Sequence, residues 1–236
     1  MRFEQLNDGV WAMTYLVADE VTKEAALVDP VYDFMDGYLE KLESEGFTLR
    51  YAIATHTHAD HITACFSLKE RTGCDYVMFH NTASLGVSKY VADGESFSMG
   101  SVPFTFHASP GHTNDSMIVH VPGYMMTGDF LFNGDGGVGR DDLPSGRPRE
   151  HWDALRVLER FDGTTLVCSG HDPPGTEMMS LDWNRANNPV LSMSGFEEFA
   201  AWQQATSEKL GSVSKIKTAI PANLFGEVPD RIPWLD

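Results

Sequence analysis

The chain is short of three things. It has three cysteines, Cys65, Cys74 and Cys168, among 236 residues. The number is odd, and neither a disulfide-type spacing nor a C-x-x-C pair occurs, which argues against a disulfide scaffold and a structural zinc knuckle. It has few cations: 17 Lys and Arg stand against 34 Asp and Glu, for a formal net charge of −17. Nucleic-acid backbones and anionic membranes are held by clustered Lys and Arg, so neither is an expected partner. Apolar runs are also short, and none approaches the ~18 residues that span a bilayer. Residues 1–5 lead into a strand-like pattern, without the apolar segment of a secretion signal. A cytoplasmic protein is the expectation.

What is present suits one substantial core. Hydrophobic residues make up 42% and charged residues 22% of the chain, both ordinary globular values. A length of 236 residues fits a single α/β domain. Residues 10–17 and 24–30 read as a strand pair around the polar Ala18-Asp19-Glu20. Helical spacing over 36–46 puts Tyr38, Leu39 and Leu42 on one face and ends at Gly46. A helix over 63–72 ends at Gly73. Short strand-like runs follow at 76–80, 104–107 and 117–121. Residues 133–149 hold five glycines and two prolines and read as a long loop. Two later helices are expected over 149–160 and 197–210.

The densest chemistry lies at Thr55-His56-Thr57-His58-Ala59-Asp60-His61. Three imidazoles and a carboxylate within seven residues are what Zn, Fe and Mn accept as ligands. The apolar run Tyr51-Ala52-Ile53-Ala54 just before them places the cluster where a buried strand opens into a loop. The same arrangement recurs three times. An apolar run leads into Ser109-Pro110-Gly111-His112, another into Thr127-Gly128-Asp129, and a third into Ser169-Gly170-His171-Asp172. Loops held by a rigid sheet are where catalytic groups concentrate. His107 and His120 fall within strand-like runs and read as structural or surface groups. His80 and His151 fall at element ends and read as capping or surface groups. Met125, Met126 and Cys168 read as core filling.

The order His56-x-His58-x-Asp60-His61, His112, Asp129, His171 resembles the metallo-β-lactamase superfamily over most of the chain. The resemblance implies an αββα sandwich of two face-to-face sheets with helices outside. It also implies one domain over 1–236, with a short C-terminal extension from about 180. Two groups within the superfamily are similar: the persulfide dioxygenases and glyoxalase II. Thr127-Gly128-Asp129-Phe130 and the downstream Gly139-Arg140-Asp141-Asp142 resemble the first, as do Asn188-Pro189 and Pro221-Ala222-Asn223. The persulfide dioxygenase resemblance implies one Fe(2+) on His56, His112 and Asp129. His58, Asp60, His61 and His171 would then orient those ligands and shuttle protons, with glutathione persulfide (or a similar small persulfide) and O2 as substrates. The glyoxalase II resemblance implies two metals, zinc or mixed, and thioester hydrolysis. His58 would join the first metal there, while Asp60, His61 and His171 would share Asp129 at the second. The ligand inventory leaves both open. A homodimer would be unsurprising in this family.

Arg140 reads either as the grip on a substrate carboxylate, since a guanidinium binds carboxylate through two donors, or as a loop-folding pair with Asp141 or Asp142. The chain departs from the resemblance after His171. Asp172-Pro173-Pro174 stands where persulfide dioxygenases have Asp-Tyr, leaving Tyr124, Trp183 and Tyr90 as candidate replacements.

Overall fold

The computed structural model describes residues 1–7, 12–173 and 175–235. The first sheet runs β1 (Arg2–Leu6), β2 (Thr14–Asp19), β3 (Glu24–Val28), β4 (Thr48–Ile53), β5 (Asp75–Phe79), β6 (Lys89–Val91). Its first three strands form an antiparallel meander, while β3 to β6 pair in parallel. Parallel neighbours need crossovers, and α1 (Met35–Glu45) and α2 (Cys65–Thr72) supply the first two. The second sheet holds β7 (Ser96–Met99), β8 (Val102–Ala108), β9 (Met117–Val121), β10 (Tyr124–Gly128) and β11 (Leu166–Ser169). It is antiparallel except for β10 with β11, whose connection carries α3 (Pro148–Ala154).

Period-two alternation sorts the side chains into four layers. On β2, Tyr15 and Val17 turn inward against Phe104, Phe106 and Val119 of the other sheet. Leu16 and Ala18 turn outward, onto Tyr38 and Leu42 of α1 and Leu68 of α2. On the far side, Ile118, Met125 and Val167 pack against Val157, Leu158 and Phe199. Helices therefore cover both outer faces of a sheet-on-sheet core, the αββα arrangement. α5 (Phe196–Leu210), which follows the short α4 (Leu181–Asn187), contributes Phe199 to this outer layer.

Several elements differ from the sequence expectation. The strand expected over 10–17 begins at Thr14 and runs on to Asp19, and Val10 and Trp11 lie outside the described residues. The helix expected over 149–160 starts at Pro148 and tightens to a 3-10 helix over Leu155–Arg160. β6 and β7 are too short to show an alternation. α6 (Ile216–Phe225) contains Pro221, which reads as a breaker in sequence. It persists because Ala219 and Ala222 are buried against Ile62 and Ile232. Among the described residues no helix is long and apolar enough to cross a membrane.

The sheets also set the site. β4, β8, β10 and β11 each end just before a loop bearing a ligand-type residue, namely residues 55–61, His112, Asp129 and His171. Because both sheets meet through Phe106, which is fully buried, Phe106→Ala is expected to cost about 3–5 kcal/mol. The urea midpoint should fall without a change in the slope of the transition; an unchanged midpoint would refute this packing role.

Candidate metal centre

The site is built on Asp29, a buried carboxylate one residue past β3 in a left-handed backbone conformation, φ 51°. It accepts from the backbone N–H of Thr55 at 2.7 Å and from the Thr55 hydroxyl at 2.8 Å. Having given its proton to Asp29, that hydroxyl can only accept from His56 Nδ1, 2.9 Å away. His56 therefore carries its proton on Nδ1 and presents a bare Nε2 lone pair. Asp29 also accepts from His58 Nε2 at 3.1 Å, so His58 presents Nδ1. His112 donates from Nδ1 to the carbonyl of Arg140 and presents Nε2. One carboxylate and one carbonyl thus fix the tautomers of three histidines, the outer hydrogen bonding that metal-ligating imidazoles need.

These nitrogens converge. The His56 ring lies 4.1 Å from that of His58 and 4.9 Å from that of His112, centre to centre, and His58 lies 4.2 Å from His61. His56 Nε2, His58 Nδ1, His61 Nε2 and Asp129 Oδ1 are all buried without a hydrogen-bond partner. Buried polar atoms left unpartnered are costly, and four of them aimed at one region fit a cation. Donor atoms fall into two close groups: His56, His112 and Asp129, and His58, Asp60 and His61, with the atoms of each group within 4.8 Å of one another. His171 Nε2 stands between, 3.4 Å from Asp60 Oδ2 and 3.5 Å from Asp129 Oδ1.

Protonation suits ligation at His56, His61, Asp60 and Asp129. Burial, helped by neighbouring His58, holds His56 well below its ordinary value, so it is a neutral imidazole. Burial lowers His61 as well, against the pull of Asp60. Burial would lower His58, but the charge and hydrogen bond of Asp29 outweigh it and raise this imidazole. Burial would raise Asp129, yet His171, His112 and His56 together bring it below the usual carboxylate range. Asp60 is pulled well down by His61 and His171 against the same burial effect.

The backbone allows the approach. Gly128, φ 51°, ends β10, and a Cβ there would lie 2.3 Å from the Thr55 hydroxyl; only glycine lets Asp129 follow so close behind that residue. Asp115 braces the metal loop from another strand end, accepting from Thr57 N, Thr57 Oγ1 and Thr113 Oγ1. Asn223 of α6 clasps it from below, donating to the carbonyls of His58 and His61, each at 2.9 Å, and accepting from Thr63 N–H.

All seven histidine and aspartate positions expected from sequence come together here. Arg140 takes the loop-folding alternative in this structure: Nε and Nη2 contact the Asp142 carboxylate at 2.6 and 2.7 Å, and Nη1 donates to Gly211 O. A substrate carboxylate would have to displace Asp142 to reach it. Beside Asp60, His61 and His171 lies a cavity of about 650 Å³, lined also by Phe34, Ser212, Ser214 and Lys215. Tyr124, Trp183 and Tyr90 do not line it. Tyr124 stacks on Phe3, and the other two are exposed. His151 corrects its surface reading: it is fully buried, because α3 turns it under the metal loops against Phe130.

Sequence reading missed the parts played by Asp29, Thr55, Asp115 and Asn223. Asp29 carried a signal, since it follows an apolar run as the ligands do. Removing it strips three donors of their acceptor, so Asp29→Ala is expected to weaken metal binding about 10–100-fold. Chelator competition measures this, and an affinity equal to wild type would refute it.

Comparison with known proteins agrees with this geometry. The family model of the metallo-beta-lactamase superfamily matches residues 12–171. The mitochondrial persulfide dioxygenase ETHE1 of Homo sapiens is 30% identical over 215 residues, covering 89% of this chain and 82% of that protein. A hydroxyacylglutathione hydrolase of Rhodospirillum rubrum is 31% identical over 164 residues, covering 67% of this chain and 61% of that one. The crystal structure of ETHE1 from Myxococcus xanthus superposes with a TM-score of 0.88 at 35% identity, covering 95% of this chain and 98% of that chain. The chain spans 58% of the length of the beta-lactamase hydrolase-like proteins of Xylella fastidiosa that it also matches. Strand ends of two packed sheets that deliver five histidines and two aspartates to one region, together with the match over 12–171, make this chain a member of the metallo-β-lactamase superfamily.

Proposed function

We propose that the chain is a non-haem iron persulfide dioxygenase, oxidising glutathione persulfide or a similar small persulfide with O2 to sulfite and thiol. The observation that carries this reading is the separate grouping of His56, His112 and Asp129, a two-histidine, one-carboxylate donor set. The persulfide dioxygenase relatives support it. Iron on these three residues would supply open coordination positions and the redox capacity that sulfur oxygenation needs.

The protein's own groups answer the remaining demands. Each persulfide consumes one O2 and one water and yields thiol, sulfite and two protons. Those protons need an exit. Asp60 is the one site carboxylate with substantial exposure, 35% of its side chain, and it is within 3.4 Å of His171. This pair leads protons from the buried donor set into the cavity. His58 and His61 sit deeper and hold the loop's shape through Asp29 and Asp60. The thiol carrier occupies the cavity. Its carboxylate meets Lys215, whose ammonium rests 4.7 Å from the Trp234 ring and has no ion pair among the described residues. Arg140 joins in only in exchange for Asp142.

A second reading rests on the second donor group. His58, Asp60 and His61 could hold another metal ion, giving a binuclear thioester hydrolase of the hydroxyacylglutathione type. Metal content and oxygen uptake divide the two. The expected result is about one iron per chain with O2 consumption on glutathione persulfide, both abolished in Asp129→Ala. Two zinc ions per chain, no O2 uptake and turnover of a thioester would replace the dioxygenase with the hydrolase. Lys215→Ala is expected to raise KM about tenfold for a carboxylate-bearing persulfide, ~1.4 kcal/mol of lost binding, with kcat little changed. Steady-state kinetics test this, and an unaltered KM removes Lys215 from the substrate contacts.

A further inference from the structure

Beneath the metal loops lies a second pair of titratable groups that the proposed reaction does not use. His151 of α3 is fully buried, with the Phe130 ring 5.1 Å away and the Phe199 ring edge-on at 5.5 Å. Its Nε2 is 3.0 Å from the carbonyl of Phe130. A carbonyl only accepts, so Nε2 carries the proton and Nδ1 of the neutral ring is a lone-pair acceptor. That Nδ1 is buried without a partner, and so is Oδ2 of Asp141. The two face each other at 3.9 Å, about 1 Å beyond hydrogen-bond length, so a hydrogen bond between them needs a small side-chain rotation.

Of the four charge states, a neutral acid beside an imidazolium buries a lone charge and is the costliest; three remain. An ionised Asp141 facing the Nδ1 lone pair would set acceptor against acceptor. Carboxylate with imidazolium would place two charges among Phe130, Phe199 and Trp152, where desolvation is severe. A neutral carboxylic acid donating to a neutral imidazole satisfies both orphaned atoms at no charge cost. Burial favours that state from both sides, raising Asp141 to about 7 and lowering His151 to about 3.

We propose that Asp141, as the neutral acid, donates its proton to His151 Nδ1, and that this pair is a positioning brace for the metal ligands His112 and Asp129. The links are short. Arg140, the residue before Asp141, takes the Nδ1 proton of His112 on its carbonyl. Phe130, the residue after Asp129, takes the Nε2 proton of His151. Gly111, next to His112, lies so close that a Cβ there would be 2.2 Å from His151 Cβ. The Arg147 N–H also bonds Gly111 O at 2.7 Å. A proton shared between Asp141 and His151 therefore ties the loop that orients one ligand to the backbone that carries another, touching neither ligand.

The test uses the full chain and Co(II) alone as probe, read by chelator competition and by the visible spectrum of the bound ion. An amide can replace the acid as donor, so Asp141→Asn should bind Co(II) with wild-type affinity and spectrum. Asp141→Ala, which leaves Nδ1 orphaned, should bind about 10–100-fold more weakly with an altered spectrum. The brace is overturned if Asp141→Asn is as weak as Asp141→Ala, or if Asp141→Ala matches wild type. Should the alanine variant not fold, nitrogen NMR of His151 in the wild-type protein decides. A proton on Nε2 with Nδ1 accepting a hydrogen bond supports the pair, and an imidazolium or an Nδ1–H tautomer overturns it. Neither measurement involves turnover, so the result is independent of whether the dioxygenase reading stands.

Discussion

The centre depends on one carboxylate that is not among its ligands. Asp29 sits in a backbone conformation that aspartate adopts at some cost, and it is recovered through three hydrogen bonds to Thr55 and His58. Through them it sets the register of the histidine-rich loop against β3 and decides which nitrogen of His56 and of His58 stays bare. A metal site assembled from loops would ordinarily be loose. Here the loop leaves β4 with its first residue already bonded to the neighbouring strand's end, so the imidazoles inherit the stiffness of the sheet.

Around that anchor the molecule repeats one device. Two of the ligand-bearing loops are fixed by groups from other parts of the fold: Asp115 and Asn223 hold the loop of Thr57, His58 and His61, and the Arg140 carbonyl holds His112. Most of these partners are backbone atoms or neutral side chains. Among the donor atoms themselves negative charge falls on Asp60 and Asp129, with the buried carboxylates of Asp29 and Asp115 behind the loop. In the dioxygenase reading proposed above Asp60 serves His171 as a proton partner, whereas a second ion would take Asp60 together with His58 and His61.

Much of this was legible in the chain. The candidate ligands announced themselves because chemistry of that density is rarely spent on packing, and each group stood after an apolar run and a small residue. Helices α1 and α2 were visible from Tyr38 and Leu42 and from their glycine stops. What escaped was whatever depends on distant pairing. β6 and β7 carry too few residues to alternate, and α6 holds a proline that only tertiary packing overrules. Arg140 was open in sequence between substrate and loop, and the nearness of Asp142 and Gly211 in space is what occupies it here. His151 read as a surface group because nothing local reveals that α3 packs beneath the site.

Asn223 lies 162 residues beyond His61, one of the two carbonyls it clasps. Synthesis runs from the N-terminus, so the nascent chain displays its histidine-rich loop long before the amide that locks that loop exists. All seven histidine and aspartate positions of the site, His171 included, precede Asn223 in the chain. The shape of the histidine-rich loop thus depends on a residue made after all of its own histidines, and on the docking of α6 as well as on the strand the loop leaves.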